Sequence, residues 1–314
     1  MSAQPTVVFF GTPEFAAFIL EELVRKGVKV VAVVTNPEKE QGRGLKPRPS
    51  PVAMKATELG LQTLTPLKTR DPEFIEALRQ IGADLFCVVA YKILPKEVFA
   101  MPRLGTFNIH TSLLPKYRGA APMQWALING EKETGITTFL LDEQIDTGGI
   151  LLQERLPISE DETLGELHDE MMKLGATVAL KTIAGLGEGT LHPNTQEHGE
   201  ATAAPKIKAE DCIIDFSKPA EEVHNHIRGI SPFPGAVMTM PDGERLKLYQ
   251  THVTNINSDN TAGMLYRSAS NKRLFVSTVT TLLEIFLLQK EGKKKLSAEE
   301  FLRGSRLELP IVEV

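Results

Sequence analysis

Thr6-Val7-Val8-Phe9-Phe10-Gly11-Thr12-Pro13-Glu14-Phe15 is the stretch that decides the fold of this chain. Residues 6–10 run apolar without alternation, as a strand covered on both faces does in the interior of a parallel sheet. Thr12 offers an N-cap and Pro13 an N1 residue, so a helix is expected from there to about Lys26. Its apolar positions Phe15, Phe18, Ile19 and Leu23 keep the 3.6-residue period, and Gly27 ends it. Residues 28–34 then form a second buried strand. Working outward, 61–64 and 84–90 read as further strands, with helices at 51–59 and 71–81. This alternation predicts an α/β fold: a doubly wound, mostly parallel, Rossmann-like sheet with right-handed crossovers. Ligands bind such sheets beyond the carboxyl ends of the strands. The turn after the first strand holds one glycine where a dinucleotide cradle needs several, so a nicotinamide cofactor is not expected.

At 314 residues the chain exceeds one domain of roughly 150 residues, and two are expected. A helix over 162–184 closes the first. Residues 185–205, rich in Gly, Thr, Pro, His and Asn, read as a linker. Beyond a helix at 220–228, short β-like runs at 235–240, 245–253, 263–265, 274–276 and 281–288 predict a small barrel or sandwich, of which a smaller OB-like β-barrel is the one expected. Hydrophobic content of 42% and charge of 24% are those of a globular protein. Of two cysteines, Cys87 lies within an apolar run, and no cysteine–histidine cluster calls for a metal. The first strand begins without a leader pattern and no apolar run reaches membrane length, so a cytoplasmic protein without membrane contact is expected. The net charge of −5 argues against a generic polyanion binder, although the acidic excess lies upstream of Lys206.

The chemistry concentrates in residues 107–149. Asn108 and His110 are two apart in an expected strand, so both side chains leave the sheet on the same side. Asp146 follows an amphipathic stretch and opens Asp146-Thr147-Gly148-Gly149, a turn where backbone can approach a ligand. One Asp-Thr-Gly in a strand–helix chain does not make an aspartic protease, which needs two close carboxylates. An amide donor, an imidazole and a carboxylate are the parts for attack on a carbonyl. Between them stand Ser112-Leu113-Leu114-Pro115 and Lys116-Tyr117-Arg118-Gly119-Ala120-Ala121-Pro122, leading into a helix at 123–129.

Asn108-Ile109-His110-Thr111-Ser112-Leu113-Leu114-Pro115 followed by Asp146-Thr147-Gly148 resembles the 10-formyltetrahydrofolate-dependent formyltransferases, whose pattern is N-x-H-x-S-L-L-P and D-x-G. The likeness covers almost the whole chain. The residues around Arg118-Gly119-Ala120-Ala121-Pro122, together with Gly42-Arg43-Gly44 and Pro49-Ser50-Pro51-Val52, look most like members that act on methionyl initiator tRNA. The resemblance implies a catalytic domain over 1–189, a linker over 190–207 and a tRNA-contacting domain over 208–314, in a monomer. It implies Asn108, His110 and Asp146 as catalytic residues, and Ser112, Leu113, Leu114 and Pro115 on the side of the reduced folate. Lys39, Arg43, Lys46 and Arg48, set among glycines and prolines, read on composition alone as a solvated surface loop; beside the resemblance they would neutralise acceptor-stem phosphates. Lys293-Lys294-Lys295 poses the same choice between a solvated hairpin tip and a tRNA contact. The family's A-Y-G-x-I-L-P is here Ala90-Tyr91-Lys92-Ile93-Leu94-Pro95, without the glycine and one residue shorter, which bears on the backbone around the pterin.

The implied reaction moves the formyl group of 10-formyltetrahydrofolate onto the methionyl α-amine, with Asn108 and protonated His110 donating to the developing oxyanion. Asp146 is left two roles: to orient and charge-stabilise His110, or to take the amine proton through a water. A sugar-nucleotide N-formyltransferase shares the triad and the donor. A non-catalytic RNA-binding protein is the third reading and leaves the triad without a task.

Overall fold

The structure, a computed structural model, describes residues 4–41, 46–240, 243–258, 261–305 and 307–313, without the side chains of 39–41 and 46. Two compact units interleave along the chain. The first comprises Met1–Gly119, Gly135–Leu156 and Asp169–Ala203; the second comprises Ala120–Thr134, Pro157–His168 and Ala204–Val314. Spatial compactness and linear order are therefore different divisions of this chain.

The elements run β1 (Thr6–Gly11), α1 (Glu14–Arg25), β2 (Lys29–Val34), β3 (Lys39–Gln41), β4 (Lys46–Arg48), α2 (Pro51–Glu58) and β5 (Thr63–Leu64). They continue with α3 (Pro72–Ile81), β6 (Leu85–Val89), α4 (Lys96–Phe99), β7 (Thr106–His110), β8 (Arg118–Gly119), α5 (Pro122–Ile128), β9 (Glu133–Leu140) and β10 (Ile150–Pro157). The helix α6 (Leu164–Glu188) and β11 (Ala203–Ala204) follow. The main sheet has the order β10-β9-β7-β6-β1-β2-β5. Its neighbours from β7 to β5 are parallel, while β9 lies antiparallel to β7. Phe9, Phe10 and Phe86 have essentially no exposure, and full burial of such a side chain stabilises by about 1.5–3 kcal/mol.

Two local expectations need correction. The N-cap of α1 is Pro13, with extended backbone and no capping side chain. Thr12 stands one residue too early, and its hydroxyl is buried without a partner among the described residues. The far end behaves as predicted: Lys26 N–H donates to Glu22, and Gly27 turns out of the helix at φ 84°. The second concerns the linker, whose residues are paired and packed at 194 and 196 rather than free. Asn194 exchanges two 2.8 Å backbone hydrogen bonds with Ile150, and Gln196 is only 3% exposed. Composition signalled a tether; the backbone is paired because Ile150 at the start of β10 offers an open ladder position.

The second unit adds α7 (Ala220–Gly229), β12 (Ala236–Thr239), β13 (Arg245–Asn257), β14 (Leu265–Ser268), β15 (Leu274–Ser277), β16 (Thr281–Lys290), β17 (Lys295–Ser297), α8 (Ala298–Gly304) and β18 (Ile311–Val312). The strands form one sheet, β12-β13-β16-β15-β14-β18, with β17 on β16. Register shifts along β13 mark bulges, which bend a long strand and raise its twist. Leu246, Leu248, Leu274, Val276, Leu283 and Ile285 fill the core under α7. α5 belongs to this unit because it lies against α7: a Cβ on Gly229 would fall 2.8 Å from Ile128 Cγ1.

Candidate active site

β7 presents the first two residues. Phe107 and Ile109 are buried, whereas Asn108 is half-buried and His110 is 6% exposed. Pairing with Val88 on one side and Phe139 on the other fixes Asn108 inside the sheet. Its side-chain amide makes no hydrogen bond among the described residues, so the fold leaves this donor uncommitted. His110 is different. Its Nε2 lies 2.8 Å from the Tyr117 carbonyl oxygen, which can only accept, so Nε2 carries the hydrogen. Tyr117 holds a left-handed backbone at φ 61°. The neutral imidazole then bears its lone pair on Nδ1.

Asp146 faces that nitrogen, with Oδ2 3.8 Å from His110 Nδ1. This is close enough for a charge pair and too long for a hydrogen bond. The carboxylate is held instead by the Gly119 N–H, which donates to Oδ2 at 2.8 Å. Asp146 adopts φ 56°, a left-handed conformation that aspartate tolerates better than most residues. A Cβ on Gly148 would overlap the Leu140 carbonyl oxygen, which explains the glycine there. Asp142 frames the turn by accepting from Gln144 N–H and the Thr147 hydroxyl.

Gln196, like the Tyr117 carbonyl, is a part of the site that the sequence does not mark. Its Nε2 donates to the Asp146 and Gly148 carbonyls at 3.0 and 2.8 Å. Its Oε1 accepts from Arg118 Nε and Nη2 at 3.2 and 2.6 Å. No periodicity marks a glutamine in an aperiodic segment, and only the contact reveals it.

Ser112 and Leu114 are buried, while Leu113 and Pro115 are half-buried. Ser112 donates to the Lys116 carbonyl, and Thr137 donates to the Ser112 carbonyl while accepting from Leu114 N–H. Gln153 donates to the Leu114 carbonyl. This loop is shaped by its own bonds, which leaves Leu113 and Pro115 as its accessible members. Along the same carboxyl edge, Thr12 Oγ1, Asn36 Oδ1 and the Tyr91 hydroxyl are buried without partners among the described residues. Burial pushes the Tyr91 hydroxyl up to about 12. In the shortened segment the left-handed position is taken by Ala90 at φ 47°, and Lys92 is drawn to the Pro66 and Leu67 carbonyls.

Of the basic arm, Lys39 and Lys46 lie in the paired strands β3 and β4, Arg48 is exposed, and Arg43 lies outside the described residues. Lys295 is drawn 3.9 Å above the Tyr249 ring. No described helix is long and apolar enough to cross a membrane.

Comparison with known proteins gives the same pattern from another direction. The formyl transferase family matches residues 5–183 and its C-terminal domain matches 206–306. A methionyl-tRNA formyltransferase of Bacteroides thetaiotaomicron is 44% identical over 315 residues, covering 96% of each chain. Among solved structures, HypX from Aquifex aeolicus in complex with tetrahydrofolic acid has a TM-score of 0.67 at 16% identity. That match covers 99% of this chain, which spans 49% of HypX. WlaRD, a sugar 3N-formyl transferase, also gives 0.67, at 19% identity over 93% of this chain and 99% of its own. At such identities the likeness of these two structures is one of fold.

Proposed function

This chain belongs to the formyl transferase family, and on that premise we propose that it transfers the formyl group of 10-formyltetrahydrofolate to the α-amine of methionyl initiator tRNA. The observation that carries the chemistry is the uncommitted Asn108 amide beside His110. The acceptor rests on the 44% identity to a methionyl-tRNA formyltransferase over nearly the full length of both chains. The sugar-nucleotide alternative has far thinner support, at 19%.

The residues present fit a reduced folate. Buried Tyr91, Thr12 and Asn36 atoms on the carboxyl edge have no partner among the described residues and offer polar groups to it, and Leu113 and Pro115 would wall its apolar side. The folate supplies the formyl carbon; the bond formed is from that carbon to the amine nitrogen, the bond broken is from that carbon to folate N10, and the proton given up by the amine is balanced by the one N10 gains on leaving. Asn108 Nδ2 donates to the formyl oxygen as charge develops there, a donor whose loss typically costs about 100- to 1,000-fold in rate. His110 holds or releases a proton at Nδ1, since Nε2–H stays on the Tyr117 carbonyl. Asp146, 3.8 Å away, stabilises that imidazolium by charge. Orientation of the ring comes from Tyr117, so Asp146 acts on the charge.

Lys39, Arg43, Lys46 and Arg48 serve as the phosphate-neutralising arm. The domain order is catalytic over 1–189, linking over 190–207 and tRNA-contacting over 208–314, in a cytoplasmic monomer. The assay is direct: protein, 10-formyltetrahydrofolate and charged initiator tRNA should give N-formylmethionyl-tRNA. Absence of that product with verified substrates and an intact fold overturns the proposal; formylation of amino-sugar nucleotides instead favours the alternative.

A further inference from the structure

We propose that Gln196 is a positioning residue of this reaction, anchoring the turn that holds Asp146 against His110. The inference rests on the reading of Asp146 as part of the reaction centre. Gln196 is 3% exposed, and its amide is saturated: two hydrogens on the Asp146 and Gly148 carbonyls, two lone pairs on Arg118. A glutamine that merely filled space would not need its nitrogen bonded to two carbonyls of one turn and its oxygen to the guanidinium of another loop.

Three consecutive residues complete the arrangement. The Tyr117 carbonyl fixes the His110 ring, the Arg118 guanidinium grips Gln196, and the Gly119 N–H holds the Asp146 carboxylate. Asp146 is thus held at two points, at its carboxylate directly from Gly119 and at its backbone through Gln196. Without Gln196 the left-handed Asp146 keeps only one of these. Its carboxylate is then free to leave the 3.8 Å position from Nδ1. The neighbouring charged and titratable groups are Arg118, His110, Asp146 and His198, whose Nδ1 lies 3.1 Å from Arg118 Nη2.

Gln196→Glu and Gln196→Ala separate the role from simple stability. Glutamate keeps an acceptor for Arg118 and loses the two N–H donors, turning an oxygen toward the turn carbonyls. Alanine removes both ends. Both should lower kcat by about tenfold to a hundredfold, the scale of a displaced catalytic group, with KM for folate and tRNA within about threefold. A readout independent of turnover is the Gly119 amide resonance by NMR, which reports the bond from this N–H to the Asp146 carboxylate and is identified by its displacement in Asp146→Asn. It should move in both variants. Unchanged kcat, a loss confined to KM, or an unmoved Gly119 amide resonance in a folded variant overturns the proposal. Should the unaltered protein form no formylated product, the functional reading fails, and the Gly119 resonance still decides whether Gln196 holds the turn.

Discussion

At the scale of single residues, the site separates what the fold uses from what it leaves available. His110 is committed at Nε2 and Asp146 at Oδ2, whereas the Asn108 side chain contributes nothing to folding that any described contact records. Asn108→Ala should therefore lower kcat by about 100- to 1,000-fold while changing the melting temperature by no more than about a degree, because it removes no hydrogen bond and little packing. Steady-state kinetics beside a thermal melt checks this. A large loss of stability would mean that the amide holds the sheet together. The Asn-x-His pair and the Asp-Thr-Gly turn were legible in the sequence because strand period and turn chemistry are local. Gln196 was not, because its partners Asp146 and Arg118 lie 50 and 78 residues away, nor was Tyr117, because it acts through its backbone carbonyl, which no side-chain pattern marks.

At the scale of elements, the strands are locked by polar contacts as well as by their apolar runs. The Asp84 carboxylate accepts from both the N–H and the hydroxyl of Thr6, tying the start of β1 to the segment just before β6. Arg103 adds a third bond. Hydrogen bonds from Thr6 come first, then Arg103, and together they hold this carboxyl at about 2, below the usual 3.8. A depressed folded-state value means stability that is present above pH 3.8 and is lost as pH falls through about 2. Asp84→Asn should cost about 2 kcal/mol at pH 7, the range for bonds to a charged group; the exposed Arg103 contributes little of it. In urea unfolding at pH 7, 5 and 3, the gap to the unaltered protein should narrow at the lowest pH. A gap independent of pH would show that packing, and not charge, is the source. The alternation of β1, α1, β2 and their successors could be read because parallel strands are continuously apolar. β9 falls within the amphipathic stretch of the sequence, and β10, beyond Gly149, carries no assignment from it. β9 is buried on both faces while one face of β10 is open, so neither the parallel nor the helical pattern fits both strands of the antiparallel edge.

At the scale of the whole molecule, the question is how a protein of net charge −5 engages a polyanion. On the proposed function the attraction is local: residues 39–48 concentrate four cations within ten residues. The sequence made this cluster legible, along with the change from strand–helix alternation to short strands that marks the second unit. It could not reveal that Ala120–Thr134 and Pro157–His168 pack with that second unit, since helix partnership depends on contacts such as Gly229 against Ile128. Arg43→Ala tests the arm. Removing one phosphate contact should weaken tRNA binding and reduce the slope of log K against log salt by about 0.7–0.9, because one fewer counterion is released. Folate KM should stay within about twofold, since the loss concerns phosphate neutralisation alone. Binding titrations of charged initiator tRNA at several salt concentrations, paired with folate kinetics at saturating tRNA, separate the two effects. If folate use falls as far as tRNA binding, the arm shapes the reaction centre itself; if the salt slope is unchanged, Arg43 meets no phosphate.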